Sequence, residues 1–365
     1  MNWETGFEID FLPVGTGEKN GDAIALRFGV QGNYKVMVYD GGTKDSGAAL
    51  VAHIRQHYQT NRVDYMVNTH PDRDHASGLS VVLDEMDVGE LWMHQPWDYS
   101  SEICGYFRDG RITDKSLGAR LQEKMSAAYQ LEQLAKAKGV KIFEPFEGAL
   151  IGGIFRVLSP SKNWYIHTLI PEFAKSPELK AAIESSDLGN LLKALLEKAA
   201  NWVDETLHIE TLKENVSTSA ENESSVILYG KIDSEVILLT GDAGIRALAA
   251  AATYAASIGI DIPNTVSIVQ VPHHGSRHNI SPTVMNMLFG MPHTKISASK
   301  PIAVASVAAK CATHPRPAVS NAFIRRGFEV TKTTGTALRY RHKMPLNPAF
   351  SYPVDFIPFS TKVEA

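Results

Sequence analysis

The segment "NTHPDRDHASGL", residues 68–79, carries two histidines and two aspartates within six positions: His70, Asp72, Asp74 and His75. Each of these side chains is costly to bury without a partner. Neutral imidazoles and carboxylates together are, however, what a divalent metal ion requires. Taken alone, the segment also fits a charged loop that caps the following helix, since aspartate is a common N-cap residue. Partner residues elsewhere in the chain must decide between a metal site and a helix cap.

Two further polar clusters follow apolar segments of the strand type. "TGD" follows "EVILL" and contains Asp242, and "PHHGS" follows "SIVQV" and contains His273 and His274. The first cluster follows the apolar "DYMVN" in the same way. Functional groups of open α/β sheets gather at the carboxyl ends of strands, so clusters far apart in sequence can converge. "TGD" alone is a common turn, but the three clusters together favour a metal centre.

Alternating strand and helix patterns supply the elements that position these clusters. The pattern predicts an α/β protein with one domain over residues 1–365 and helical insertions at about 95–150 and 161–221. Apolar residues three or four apart predict one amphipathic helix in each insertion, over "SLGARLQEKMSAAYQLEQLAKAKG" and over "SSDLGNLLKALLEKAANWV". Near the C-terminus, "FEVTKTT" and "TALRYRH" are expected to form a closing hairpin.

The composition limits the class of protein. The 365 residues are 44% hydrophobic and 21% charged, which is typical of a globular chain with a sizeable core. Two cysteines, Cys104 and Cys311, are too few for a disulfide framework and favour a reducing compartment. The N-terminus lacks a signal-peptide pattern, and no apolar run is long enough to span a bilayer. We therefore expect a cytoplasmic protein without membrane insertion.

The net charge of −4 gives no general attraction to nucleic acid, so a polyanionic partner needs a local basic patch. A basic stretch near the C-terminus either tracks a nucleic-acid backbone or forms the solvated face of the hairpin. Its members are Arg325, Arg326, Lys332, Arg339, Arg341 and Lys343.

Matches spread over nearly the whole chain resemble one family. They are "FLPVGTGEKNGDAIAL", "VYDGG", "THPDRDHASGL", "NESSVIL" with "VILLTGDAG", "VPHHGSRHNIS" and the C-terminal "THPRP". In these motifs the chain resembles the metallo-β-lactamase superfamily, and within it most closely the hydrolase domain of the ComEC/Rec2 competence proteins. The resemblance implies a metallo-β-lactamase-like αββα sandwich with helical insertions.

The resemblance also implies two divalent metal ions, zinc or manganese. His70 and Asp72 are expected to bind one ion, Asp74 and His75 the other, and Asp242 to bridge the two. In the fifth motif the second histidine, His274, aligns best as a ligand. Asp74 is in addition the candidate catalytic residue that holds or deprotonates the attacking water. Six residues are expected behind the ligands or facing the substrate: His273, Asp40, Asn222, Ser276, Arg277 and His314.

Two positions depart from the family pattern. Asp72 stands where the superfamily usually has a second histidine, and Asn222 occupies roughly the place of the third-motif histidine. Both departures favour oxygen over nitrogen donors, so manganese becomes a rival to zinc, and occupancy by a single metal ion stays open. His94, which ends "LWMH", is either a further contributor or a structural residue.

The leading hypothesis is therefore a metal-dependent phosphodiesterase or nuclease that uses a metal-bound hydroxide. A phosphodiester of DNA, RNA or a nucleotide is its expected substrate. Hydrolysis of a small lactone or lactam is one alternative, because the fold alone does not fix the substrate. A catalytically vestigial metal-binding protein that binds a partner through its helical insertions is the other. The sequence leaves the metal, the substrate and the oligomeric state open.

Overall fold

Two seven-stranded mixed sheets form the centre of the protein. The computed structural model describes all residues except 1–4, 16, 18, 174–175, 178–201, 293–299, 351–352 and 365. The first sheet consists of β1 (Thr5–Phe11), β2 (Ala23–Val30), β3 (Asn33–Gly41), β4 (Arg62–Val67), β5 (Asp87–Trp92), β6 (Lys141–Phe143) and β15 (Leu338–His342). The second consists of β7 (Leu150–Ile151), β8 (Phe155–Ser159), β10 (Ile227–Ile232), β11 (Glu235–Leu239), β12 (Ile268–Gln270), β13 (Ile302–Ala305) and β14 (Glu329–Lys332). A separate antiparallel pair joins β9 (Trp202–Asp204) to β16 (Lys362–Glu364).

The strand order explains where the polar clusters lie. It is β15-β1-β2-β3-β4-β5-β6 in the first sheet and β14-β13-β12-β11-β10-β8-β7 in the second. β3, β4, β5 and β6 run parallel to one another, as do β11, β12, β13 and β14. Their carboxyl ends therefore meet at common edges, as expected for functional groups of α/β sheets.

The helices cover the outer faces of both sheets. In chain order they are α1 (Lys44–His53), α2 (Arg73–Glu85), α3 (Ser100–Ile103), α4 (Asp114–Lys124), α5 (Ser126–Ala137), α6 (Lys162–Trp164), α7 (Ile170–Glu172), α8 (Ala220–Glu223), α9 (Ile245–Ser257), α10 (Ile262–Thr265), α11 (Pro282–Phe289) and α12 (Pro317–Arg325). Short 3₁₀ turns lie at Pro96–Tyr99, Cys104–Tyr106, Pro272–Gly275 and Pro348–Phe350, and π-type turns at Ile54–Tyr58 and Tyr165–Leu169. Within the described ranges, none of these helices is both long and apolar enough to cross a bilayer.

Three hydrophobic cores lie between the layers of sheets and helices. Alternate residues of β1, such as Phe7 and Ile9, face Phe155 and Leu239 across the space between the two sheets. A second core packs α1, α2, α4 and α5 on the outer face of the first sheet. A third packs α9, α11 and α12 on the second sheet. This arrangement confirms the predicted αββα sandwich.

The predicted closing hairpin is wrong. β14 pairs in parallel with β13 at the edge of the second sheet, whereas β15 pairs antiparallel with β1 in the first. Apolar contacts choose these partners: Tyr340 of β15 stacks on Phe7 at a ring distance of 5.8 Å, while Val330 of β14 joins the core beneath α12. The chain therefore crosses from one sheet to the other instead of turning back.

Three of the six residues of the basic C-terminal stretch, Arg325, Arg326 and Arg339, have buried side chains, whereas Arg341 and Lys343 are exposed. Arg325 is 1% exposed and lies 3.3 Å from the Glu205 carboxylate. Arg326 is also buried, and Arg339 binds Asp10 with both Nε and Nη2, at 2.6 and 2.7 Å. These three arginines form ion pairs with carboxylates, and the ion pairs hold the sheets and their helices together.

The two predicted amphipathic helices have different outcomes. The first is two helices, α4 and α5, because the chain breaks at Met125, whose backbone conformation (φ −106°, ψ 42°) is not helical. The second falls on residues that lie mostly outside the described ranges. Its last described residues begin β9.

Candidate metal centre

Strand ends from both sheets supply the donor side chains. The first sheet positions residues immediately before β2, at the end of β3, and between the end of β4 and the first turn of α2. The second positions residues after β11 and β12. The side chains brought together in this way are Asp22, Asp40, His70, His75, Asp242, His273 and His274.

Asp40 orients two histidines. Its Oδ1 accepts a hydrogen bond from the Thr69 backbone N–H (2.8 Å), and its Oδ2 accepts from the Thr69 hydroxyl (2.6 Å) and from Nδ1 of His75 (2.8 Å). Because the Thr69 hydroxyl donates to Asp40, its oxygen accepts from Nδ1 of His70, 2.8 Å away. In its neutral form each imidazole therefore carries its proton on Nδ1, which leaves Nε2 as the lone-pair donor.

The two Nε2 atoms converge on one carboxylate. Nε2 of His75 lies 3.4 Å and Nε2 of His70 lies 3.9 Å from Oδ2 of Asp242, and both nitrogens are buried without a hydrogen-bond partner in the described chain. Nε2 of His274 lies 3.6 Å from Oδ1 of the same carboxylate. Lone pairs that face one another in a buried site repel unless a proton or a metal cation lies between them. Burial opposes protonation of His75, but the Asp242 and Asp40 carboxylates outweigh it and raise its pKa well above the usual value.

Asp22 belongs to the same cluster, and the sequence analysis missed it as a site residue. With His75, Asp242 and His274 it forms a group whose potential ligand atoms all lie within 4.8 Å of one another. Its carboxylate is 1% exposed, and neither oxygen has a hydrogen-bond partner in the described chain. Burial raises its pKa to about 7. The one sequence signal was the "GDA" that opens β2, where a Cβ on Gly21 would lie 2.5 Å from the Asp74 carbonyl oxygen.

The two histidines of the turn Pro272–Gly275 adopt left-handed backbone conformations, with φ of 46° at His273 and 59° at His274. Such conformations are uncommon for residues other than glycine. The side chain of His274 is 5% exposed, and burial lowers its pKa to about 4, so its imidazole is neutral at pH 7. The more exposed His273 (33%) directs Nε2 to within 3.4 Å of Oδ2 of Asp242.

Asn279 fixes the ring of His273. Its amide donates to the backbone carbonyl of Asp242 (2.9 Å), which leaves its Oδ1 to accept from Nδ1 of His273, also at 2.9 Å. Asn222 contacts the same nitrogen at 3.2 Å and donates to the Thr218 hydroxyl at 2.8 Å. Asn222 therefore lies behind a histidine, and the structure does not place it among the grouped donors.

Asp72 and Asp74 are half-buried at the start of α2. Asp72 is the N-cap residue, yet its side chain makes no capping hydrogen bond. Its Oδ2 instead lies 3.8 Å from Nε2 of His70. Asp74 lies in the first turn of the helix and outside both grouped sets of donors, but its charge acts on His274.

The remaining candidates surround this centre. Oγ of Ser276 accepts from the His278 backbone N–H at 3.3 Å, and Arg277 is half-buried directly after it. Burial, the charge of Arg316 and the neighbouring His274 lower the pKa of His314 to about 4.

His94, in contrast, stacks on Tyr165 at a ring distance of 4.3 Å, and burial lowers its pKa to about 3. It is not among the grouped donors.

A family model matches the N-terminal part of the chain, which supplies several of the grouped donors. Residues 21–112 match the family model of the metallo-beta-lactamase superfamily, and this segment contains Asp22, Asp40 and the histidine–aspartate motif. No curated protein matches the chain.

Several solved structures are similar to the chain. One is unliganded yeast PDE1, with 11% identity over 91% of this chain and 98% of that one, at a TM-score of 0.45. Another is metallo-beta-lactamase SMB-1 bound to 2-mercaptoethanesulfonate, with 9% identity over 73% and 82% of the two chains and a TM-score of 0.31. A putative metallo-beta-lactamase from Thermotoga maritima has 11% identity over 65% and 78%, also with a TM-score of 0.31.

Proposed function

We propose that this chain, whose residues 21–112 match the family model of the metallo-beta-lactamase superfamily, is a metal-dependent phosphodiesterase of that superfamily. One observation carries the proposal. The buried carboxylate of Asp242 lies 3.4 and 3.9 Å from the Nε2 atoms of His75 and His70. A divalent cation bound among these atoms would displace the proton of His75 and accept the lone pairs of the nitrogens and the carboxylate together.

Two overlapping sets of donors support two cations. The first set is Asp22, His75, Asp242 and His274. The second is formed by His70 with Asp72 and Asp242, whose Oδ2 atoms lie 3.8 and 3.9 Å from Nε2 of His70. Asp242 reaches both sets and is the bridging residue. Each set includes two carboxylates, so we propose manganese alongside zinc as the resident metal.

Residues of the chain have separate roles beside the metal ions. A divalent cation lowers the pKa of a coordinated water to about 7 and stabilises charge on the oxygens of the substrate. Asp74 is half-buried at the start of α2, where we propose that it accepts the proton of the attacking water. We propose that His273, which is held by Asn279 and one-third exposed, faces the substrate.

A phosphodiester suits this centre better than a lactone or lactam. Two cations held about 3.5–4 Å apart match the attacking and leaving oxygens of an in-line phosphoryl displacement. The positively charged Arg277 directly follows the histidine turn and Ser276. A neutral acyl ring makes no use of such a cation, whereas a phosphate oxygen does.

The test is hydrolysis by metal-loaded protein. Single- and double-stranded DNA, RNA, cyclic nucleotides and bis(p-nitrophenyl) phosphate are incubated with Mn²⁺ or Zn²⁺, beside a panel of lactones and β-lactams. Asp74→Asn and Asp242→Asn should each lose at least about 100-fold in rate, whereas the exposed Asp233→Asn should keep it.

Diester cleavage that does not exceed the Asp242→Asn background would refute the proposal. Turnover of a lactone or lactam alone would establish the acyl alternative. Absence of bound metal in elemental analysis, with a melting temperature insensitive to added metal, would establish the partner-binding alternative.

A further inference from the structure

The loop between β13 and α12 packs directly on the histidine turn. The backbone N–H of Arg316 donates to the carbonyl of Gly275 at 3.0 Å. Gly275 has a φ of +90°, and a Cβ at this position would lie 2.3 Å from Cβ of Pro315. The loop therefore continues the wall of the metal centre beyond His274. Its half-buried His314 lies close enough to His274, His273 and Asp242 for their charges to act on it.

Arg316 has a charge that the protein leaves available. Its side chain is half-buried, and within the described part of the chain it makes neither a hydrogen bond nor an ion pair. The buried Arg325 and Arg339, by contrast, lie 3.3 and 2.6 Å from carboxylate oxygens. A partly desolvated guanidinium without partners costs free energy, and a bound anion recovers it.

A buried carboxylate lies close enough to Arg316 for the arginine's charge to act on it. Glu364 in β16, a strand that lies against α12, is 6% exposed, and no other described residue donates a hydrogen bond to its carboxylate. The charges of Arg316 and Arg277 both act on it. Glu364 thus attracts the Arg316 guanidinium without closing the bidentate pair that would consume its donors.

We propose that Arg316 binds the non-bridging oxygens of the scissile phosphate, and that Glu364 is the positioning residue that keeps its guanidinium beside the metal centre. The inference rests on the proposed phosphodiesterase function and assigns its substrate-binding arginine. The planar guanidinium fork matches two phosphate oxygens, which a lysine ammonium does not. The sequence analysis named His314 two residues earlier but not this arginine.

The experiment compares wild-type protein with Arg316→Ala, Arg316→Lys and Glu364→Gln, all loaded with Mn²⁺. Hydrolysis of bis(p-nitrophenyl) phosphate and inhibition by inorganic phosphate are measured together with metal content and melting temperature. Arg55→Ala, an exposed arginine of the Ile54–Tyr58 turn, is the matched control.

Arg316→Ala should lower kcat/KM and weaken phosphate inhibition by roughly 10- to 100-fold, with unchanged metal content, and Arg316→Lys should restore only part of the loss. Glu364→Gln should give a smaller loss that vanishes in the Arg316→Ala background, which a merely structural role would not produce.

Activity of Arg316→Ala within about twofold of wild type overturns this inference and leaves the proposed function intact. If wild-type protein neither hydrolyses diesters nor binds phosphate, both this inference and the proposed function are overturned.

Discussion

Nδ1 of His75 lies 2.8 Å from Oδ2 of Asp40, and this contact decides that Nε2 of the ring faces Asp242. The same Asp40 oxygen accepts from Thr69, whose hydroxyl in turn accepts from His70. One carboxylate therefore sets the protonated nitrogen of two histidines, the first directly and the second through a hydroxyl group. Hydrogen bonds of this kind behind a metal ligand fix its orientation and raise its basicity.

Asp40→Asn should weaken binding of Zn²⁺ and Mn²⁺ by roughly 10- to 100-fold. The amide cannot accept from all three donors, and asparagine tolerates the left-handed φ of 56° at this position, so the fold should persist. Isothermal titration calorimetry measures the affinity. Asp233→Asn changes an exposed aspartate with the same φ and should leave metal affinity unchanged, and an equal loss in both variants would contradict the prediction.

Asp22→Asn should stabilise the metal-free protein at pH 8 and weaken metal binding. Burial raises the pKa of Asp22 from 3.8 to about 7, so the folded state binds the proton more tightly than the unfolded state. The free energy of unfolding therefore falls as the pH rises through this interval, and the amide removes that loss. Melting curves with and without metal measure both effects. A metal-free variant that melts below wild type at pH 8 would show that the carboxylate is not a destabilising charge.

Metal binding should release protons near neutral pH. The raised pKa values mean that Asp22 is partly protonated at pH 7 and that His75 carries a second ring proton before metal binds, whereas His274, with a pKa of about 4, is already neutral. The apparent affinity should therefore fall as the pH drops from 8 to 6. Calorimetry in buffers of different ionisation enthalpy counts the released protons, and a count of zero at pH 7 would be incompatible with this site.

His274→Asn should weaken metal binding more than His273→Asn. Both positions require a left-handed backbone, which asparagine adopts at little cost, so the two variants are matched. His274 is almost fully buried beside Asp242, whereas one-third of His273 is exposed. His273→Asn should mainly raise KM for the diester. The reverse order of metal affinities would make His273 the ligand.

Arg339→Met should destabilise the protein by about 3–5 kcal/mol, because it leaves the buried carboxylates of Glu8 and Asp10 without their shared cation. Urea unfolding measures the change, and metal affinity should stay the same. The exposed Arg341→Met should change stability by less than about 0.5 kcal/mol. Salt-dependent DNA binding lost in both variants would revive a nucleic-acid role for this stretch.

The local order of polar residues after apolar strands was sufficient to predict most of the grouped donors. His70 and His75 flank one helix start, and Asp242 and His274 each follow a buried strand, so a strand-end argument finds them. Asp22 precedes its strand instead. Its partners are reached only through the pairing of β2 with β3 and the packing of α2, which no short motif encodes.

For the same reason, the sequence pattern could not predict which strands pair across long distances. An alternating pattern identifies β15 as a strand, but its partner β1 lies some 330 residues earlier. Likewise, a run of arginines shows its charge, while the carboxylates of Asp10 and Glu205 that neutralise it lie in distant segments. In both cases tertiary burial, which depends on the complete fold, chooses the partner.

The pairing of β1 with β15 also has a consequence for biosynthesis. β1 leaves the ribosome some 330 residues before β15, yet one of its two edges has no partner until β15 follows at Leu338–His342. While the intervening residues are translated, an apolar strand edge is therefore open to pairing with other chains. The nascent chain should need a chaperone that shields extended apolar segments, and loss of β15 should lead to aggregation rather than to a smaller folded protein.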